Sequence, residues 1–143
     1  MFNFERKIIV MSTYAEKIRK TKQLIQKSFM LILEKKPFEA ITVGDITNQA
    51  QINRGTFYLH YKDKFDLLDN IERQLFEDLG NHIDELQSRY SSTDTFEKGQ
   101  EQLASTLFSS IKMHAPLLKI FLSDHGRGGF HIRFRDAFSE KVL

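Results

Sequence analysis

The 143 residues are enough for one good core, or for a small domain and a modest second one. The chain contains no cysteine, which excludes a disulfide framework and thiolate chemistry, and no apolar run approaches the ~20 residues of a membrane span. The net charge of +2 is unevenly distributed: residues 13–65 contain ten Lys and Arg against five Asp and Glu, and residues 66–143 contain nine against thirteen. A basic front half of this kind indicates a polyanionic partner, such as nucleic acid.

The N-terminal third is predicted to contain an arm and one long helix. Residues 1–12 show no clear periodicity and are predicted to form a disordered or frayed arm. Over residues 14–34, apolar residues recur at spacings of three, four and seven, which predicts an amphipathic helix. Pro37 ends it, because proline disfavours the helical conformation of the residue before it. The stripe consists of Ala15, Ile18, Ile25, Phe29 and Ile32.

Two short helices are predicted next. Thr42 is a favourable N-cap and Asp45, three residues on, completes a capping-box pattern, so a helix of about eight residues follows. Gln51 lies in a short turn, and Asn53 caps a second helix, Arg54–His60. Helices this short are marginal alone, and they are useful where an exposed face must enter the major groove of DNA, about 12 Å wide. The residues predicted to face inward are Val43, Ile46, Ala50, Phe57 and Tyr61.

The rest of the chain is also predicted to be helical. Asp63 caps a long helix over residues 64–87, and the polar residues 88–95 form a linker. The apolar side of the long helix is predicted to be Phe65, Leu68, Leu75, Leu79, Ile83 and Leu86. The next helix is predicted to end near Met113, with Leu103, Leu107, Phe108 and Ile111 inside.

Proline and glycine divide the C-terminal end. Pro116 is placed at the first turn of a separate helix that ends at about Asp124, because a proline suits that position. The glycine-rich residues 126–129 are predicted to be a loop between helices, and phenylalanines at positions 130, 134 and 138 predict a last helix. No strand pair is found, so the predicted fold class is all-α.

The face of the second short helix suits DNA. Arg54 offers a guanidinium to phosphate or guanine, and Gly55 lets the backbone approach a phosphate. Thr42 and Lys64 stand at helix N-termini, whose free amides and positive dipole ends favour phosphate. The other residues predicted to face DNA are Thr56, Tyr58, Leu59 and His60.

Residues 41–71 resemble the DNA-binding signature of the TetR family of bacterial transcription regulators. The family pattern has a threonine that opens the second helix, a recognition helix with a glycine-threonine-aromatic-tyrosine run, and a lysine that opens the fourth helix. The one departure is Gln51, where the family usually has glycine; a left-handed backbone there would cost roughly 1 kcal/mol. The matching positions are Thr42, Ile46, Ala50, Gly55, Thr56, Phe57, Tyr58, His60, Tyr61, Lys64, Leu67 and Leu68.

The resemblance implies two domains. Residues 13–64 would form a three-helix, helix-turn-helix DNA-binding domain, and residues 65–143 a small helical bundle for regulation and dimerisation. Thr42, Tyr58, His60 and Lys64 would mainly touch phosphate. Residues 107–138 resemble, more weakly, a subgroup with a short C-terminal domain that includes regulators of dihydroxyacetone-kinase operons. The chain ends within an amphipathic segment where another helix is expected, so a truncated second domain is one interpretation.

The leading hypothesis is a repressor in the bacterial cytoplasm, associated with the nucleoid when bound. It would bind palindromic double-stranded operator DNA as a homodimer, with half-sites about one helical turn or a multiple apart, and an effector on the second domain would release it. Two alternatives stay open: control by a protein partner instead of a small molecule, and a helical interaction module with a vestigial DNA head. No cofactor, metal site or catalytic residue is expected, because no nucleophile-base pair and no metal-ligand spacing occurs.

Overall fold

The structure is a computed structural model that describes residues 2–90 and 96–142. These residues form helices joined by short turns, and no strand occurs among them, so the predicted all-α fold is confirmed. The helices are α1 (Phe2–Leu33), α2 (Val43–Ala50), α3 (Arg54–His60), α4 (Lys64–Tyr90), α5 (Phe96–Leu122) and α6 (Phe130–Val142), with a short 3₁₀ turn at Phe38–Ala40.

The chain divides into two structural units. The first contains residues 1–36 and 40–67, and the second contains residues 37–39 and 68–143. The division falls three residues after the predicted boundary between residues 64 and 65. The assignment of DNA binding to one unit and regulation to the other stays a prediction.

The core of the first unit is built from one face of α1 and the inner faces of α2 and α3. Ile46, Ala50, Phe57 and Tyr61 are buried as predicted, whereas Val43 is only half-buried. Burying such side chains stabilises a unit by about 1.5–3 kcal/mol each, which holds the two short helices in place. The remaining buried apolar residues of this unit are Ile25, Phe29, Leu33, Ile41 and Leu67.

Helix α1 begins far earlier than the sequence pattern predicts. It starts at Phe2, so the prediction of a disordered or frayed arm over residues 1–12 is wrong for residues 2–12. No glycine or proline interrupts this stretch, and the Thr13 hydroxyl donates to the Ile9 carbonyl over 2.9 Å within the helix. Residues 5–17 are all exposed. An apolar periodicity arises where one face of a helix is buried. This part of α1 is exposed, so its sequence carries no such pattern.

A phenylalanine cluster organises the second unit. Phe76 of α4 has its ring centroid 5.8 Å from that of Phe130, 5.8 Å from Phe134 and 6.1 Å from Phe138, and Phe121 of α5 lies 5.1 Å from Phe130. The phenylalanines of the last helix were predicted from their four-residue spacing, and the structure confirms that helix as α6. Aromatic pairs at such distances stabilise beyond their buried area.

Pro116 lies inside α5 and opens no separate helix, so the predicted break near Met113 is wrong. A proline inside a helix removes one backbone hydrogen bond and costs about 3 kcal/mol. Ser110 and Phe121, one on each side of Pro116, are both buried. These two residues are eleven positions, or about three helical turns, apart. A continuous helix therefore places both of them on one face.

Three apolar side chains that were predicted to lie inside are exposed. Phe65 is 45% exposed, Phe108 70% and Ile111 49%. An apolar stripe identifies a helix face, but it does not say what covers that face. The predicted interior positions Leu86, Leu103 and Leu107 have side chains outside the described residues. In the described part of the chain, no helix combines the length and apolarity needed to cross a membrane.

Candidate nucleic-acid interface

A capping box fixes the start of α2. The Thr42 Oγ1 accepts a hydrogen bond from the Asp45 N–H over 3.1 Å, and Asp45 Oδ2 accepts from the Thr42 N–H over 2.8 Å, as predicted. The Lys36 ammonium donates to the same carboxylate over 2.8 Å. That hydrogen bond and those from Thr42 lower the pKa of Asp45 to about 2. The N-terminus of α2 is thereby locked with the Thr42 side chain exposed.

The turn between α2 and α3 is left-handed at Gln51. Its φ of 54° and ψ of 44° confirm the backbone that the family's usual glycine would favour. The Ile52 N–H donates to the Thr47 carbonyl over 3.1 Å, which closes the end of α2. The turn is therefore undistorted, and the strain remains at Gln51 alone.

Helix α3 is capped and anchored so that one face remains free. Asn53 Oδ1 accepts from the Thr56 N–H over 2.7 Å and from the Thr56 hydroxyl over 3.0 Å. Phe57 is fully buried, whereas its neighbours Tyr58 and Leu59 are 53% and 82% exposed. Both side chains are therefore accessible to a partner.

Arg54 lies at the N-terminus of the neighbouring helix α2. A Cβ on Gly44 would stand 3.9 Å from Arg54 Nη2 and 3.5 Å from Thr42 Oγ1. The structure thus brings together two predicted DNA-contacting residues that are twelve positions apart. Sequence reasoning missed Gly44, which lies beside both groups. Its signal was a glycine in the first turn of a short helix, where an ordinary residue would serve helix formation better.

The Lys64 side chain also lies beside the N-terminus of α2, although Lys64 follows α3 in the chain. Its ammonium donates to the Ile41 carbonyl over 2.8 Å and lies 5.6 Å from the centroid of the Phe65 ring. Since Ile41 directly precedes Thr42, the two predicted phosphate clamps are held beside each other. The N-termini of α2 and α4 therefore contribute their positive ends to one region.

His60 stands at the opposite end of α3, about 9 Å along the helix axis from Arg54. Partial burial lowers its pKa below the ordinary value, and the nearby positive charge of Lys22 lowers it further. The neutral imidazole is consequently the favoured form of the free protein at neutral pH. The predicted set thus spreads over the length of α3 and does not gather at one point.

All eight predicted DNA-contacting residues are at least partly accessible. Their contact with DNA stays a prediction, but burial removes none of them. The exposed members are Thr42, Arg54, Gly55, Tyr58 and Leu59, and the half-buried members are Thr56, His60 and Lys64.

Comparisons with known proteins show what this arrangement is similar to. Residues 30–71 match the family described as bacterial regulatory proteins, tetR family. The chain is 27% identical over 120 residues to the uncharacterized HTH-type transcriptional regulator YxbF of Bacillus subtilis (strain 168). That alignment covers 83% of this chain but only 30% of YxbF, so the chain spans less than a third of its relative's length.

Two solved structures share the fold. A TetR transcriptional regulator from Streptococcus agalactiae 2603V superposes with a TM-score of 0.65 at 25% identity, over 93% of this chain and 68% of that one. The fatty acid degradation regulator FadR from Bacillus halodurans superposes with a TM-score of 0.59 at 17% identity, over 85% of this chain and 63% of that one. The dihydroxyacetone-kinase subgroup is not confirmed by these relatives. Within residues 30–71, the chain is therefore similar to the tetR family of bacterial regulatory proteins.

Proposed function

We propose that the protein is a sequence-specific DNA-binding regulator of transcription that inserts α3 into the major groove. The observation that carries this proposal is the joint placement of Thr42, Arg54 and Lys64 at the N-termini of α2 and α4. A helix N-terminus attracts phosphate through free amides and its dipole, and here two cationic side chains are added to it. This cluster would fix the register of the protein on the duplex.

The exposed face of α3 would then read bases. Tyr58 and Leu59 project from it, offering a phenol and an apolar group for a thymine methyl. The Thr56 hydroxyl is directed to Asn53 in the free protein, so its contribution to DNA requires a second hydrogen bond or its methyl group. His60 would contact phosphate at the C-terminal end of α3, whereas Lys64 would contact phosphate beside Thr42.

The mode of regulation belongs to the same proposal. Two copies would read a palindromic operator as a homodimer in the bacterial cytoplasm and act as a repressor. An effector on the second unit would release the DNA. Whether the effector is a small molecule or a protein partner stays open. The contrasting hypothesis is a helical interaction module with a vestigial DNA head.

Selection from a random duplex library, followed by fluorescence anisotropy, tests the proposal. The chain is expected to enrich a two-fold symmetric site and to bind it about a thousandfold or more tighter than a scrambled duplex. Binding that is equal for the selected and scrambled duplexes at low and moderate salt would contradict sequence-specific recognition. The same result would support the vestigial-head alternative.

Tyr58→Ala tests the orientation of α3. The side chain is half-exposed beside the buried Phe57, so its removal is expected to weaken binding about ten- to a hundredfold without lowering the melting temperature. Tyr14→Ala is the matched control, because Tyr14 is an exposed tyrosine on α1 away from the predicted set. Unchanged affinity in Tyr58→Ala would show that another face of α3 meets the DNA.

A further inference from the structure

Helix α1 is attached to the C-terminal end of α3 by a hydrogen bond. The Gln26 Nε2 donates to the Tyr61 hydroxyl over 3.1 Å, and the contact is partly buried. Tyr61 is itself buried and follows His60 directly. The turn of α1 around Gln26 is therefore fixed next to the end of the proposed recognition helix.

Lys22 lies one turn before Gln26 on the same face of α1. Residues four apart on a helix are neighbours along its surface, so the Lys22 side chain is placed toward His60. The lowered pKa of His60, to which the Lys22 charge contributes, agrees with this placement. Lys22 is exposed, and in the described part of the chain no salt bridge or hydrogen bond holds its ammonium.

Three other basic residues of the first unit are already engaged. Lys20 pairs with Glu16 over 3.1 Å, Lys36 with Asp45 over 2.8 Å, and the Lys64 ammonium donates to the Ile41 carbonyl. Two basic side chains, Lys22 and His60, instead face each other across the joint between α1 and α3. A phosphate oxygen placed between them would be attracted by the Lys22 ammonium and would accept a hydrogen bond from the N–H of the neutral imidazole.

We propose that Lys22 is a further phosphate-binding residue, which extends the DNA interface from α3 onto α1. This inference rests on the proposed function, because it names an additional contact to the same DNA. Together with Lys64 near the start of α2, it would give the duplex a cationic contact at each end of the motif. Sequence comparison with the helix-turn-helix signature does not reveal it, since α1 precedes that signature.

The salt dependence of binding separates this role from a structural one. Affinity for the selected duplex is measured from about 50 to 200 mM salt for the wild type, Lys22→Gln, Lys22→Arg and Lys20→Gln. Lys22→Gln is expected to lower the slope of log K against log salt by about 0.9 and to weaken binding about five- to tenfold near 0.1 M salt. Lys22→Arg keeps the charge and is expected to restore both values. Lys20→Gln is the control, because two positions along a helix turn the side chain to the other side.

Failure of this inference is distinguishable from failure of the proposed function. A wild type that selects a site, combined with an unchanged slope in Lys22→Gln, would overturn the Lys22 contact alone. A wild type that binds no duplex would overturn both. A loss in Lys22→Gln that Lys22→Arg does not restore would assign Lys22 a structural role, and melting temperatures equal to that of the wild type would verify that each variant folds.

Discussion

The two units of the chain are stabilised over different sequence distances. In the first unit, α2 and α3 are fixed by side chains three residues away, as between Thr42 and Asp45 and between Asn53 and Thr56. In the second unit, Arg133 forms a bidentate hydrogen bond with Glu72, 61 positions earlier, over 2.8 and 2.7 Å. Local caps therefore fix the ends of α2 and α3, although longer-range contacts such as that between Lys64 and Ile41 also hold the first unit together, whereas the buried ion pair of the second unit joins distant positions.

Both units also expose large apolar side chains. On α3 the exposed groups include Tyr58 and Leu59, 53% and 82% exposed, next to the cationic Arg54. On α5 the exposed groups include Phe108 and Met113, each 70% exposed. Single exposed apolar side chains are normal on a protein surface. The two units therefore differ in how their helices are held and not in how apolar their surfaces are.

The largest expected effect is that of Phe57→Ala on the first unit. Phe57 is fully buried, and truncation of such a phenylalanine costs about 3–5 kcal/mol. Hydrogen exchange followed by mass spectrometry should show faster exchange in α2 and α3, with α6 unchanged. Tyr58→Ala is the control next to it and should leave exchange as in the wild type. Equal acceleration in α6 would show that the effect is not confined to the first unit.

Glu72→Gln probes the second unit. Glu72 is buried and its carboxylate is the bidentate partner of Arg133, whose pKa is raised chiefly by hydrogen bonding to Glu72. The guanidinium is about one-third exposed, so loss of its partner is expected to cost about 1–3 kcal/mol and not more. Thermal unfolding and exchange in α6 measure the loss.

Asp69→Asn is the matched control for that experiment. Asp69 pairs with Arg127 over 2.8 Å, but its side chain is 58% exposed, and exposed pairs contribute about 1 kcal/mol or less. A control variant as destabilised as Glu72→Gln would show that burial does not distinguish the two ion pairs.

Acid should unfold the start of α2 through Asp45. Its pKa is lowered from 3.8 to about 2, so the folded state favours the carboxylate. The resulting stabilisation is present above pH 3.8 and is lost as the pH falls toward 2. Asp45→Asn is expected to lower the free energy of unfolding by about 1 kcal/mol at pH 7 and to weaken its dependence on pH. Urea unfolding from pH 5 to 2 measures both, and an equal acid response in wild type and variant would exclude Asp45 as the titrating group.

Features that depend on neighbouring residues were predictable from the sequence. The caps at Thr42 and Asn53 and the left-handed Gln51 follow from backbone chemistry within a few positions. Contacts between helices were not predictable, because the proximity of Arg54 to Gly44 requires the packing of α2 against α3. The early start of α1 and the continuity of α5 through Pro116 were missed for a related reason. The exposed first part of α1 has no buried face to produce an apolar pattern, and the buried residues on both sides of Pro116 accompany a continuous α5.

Gln51→Gly is expected to have the smallest effect, and its sign tests the local character of the first unit. A left-handed conformation costs a non-glycine residue roughly 1–2 kcal/mol, while glycine loses about 0.5–1 kcal/mol of additional chain entropy on folding. The difference predicts a stabilisation of about 0–1.5 kcal/mol, measured by urea unfolding. Gln51→Ala keeps the strain and should give no gain. Because Gln51 is exposed and lies outside the predicted DNA-contacting set, the affinity for the selected duplex should not change. A destabilised glycine variant would mean that the glutamine side chain contributes more to the turn than its backbone costs.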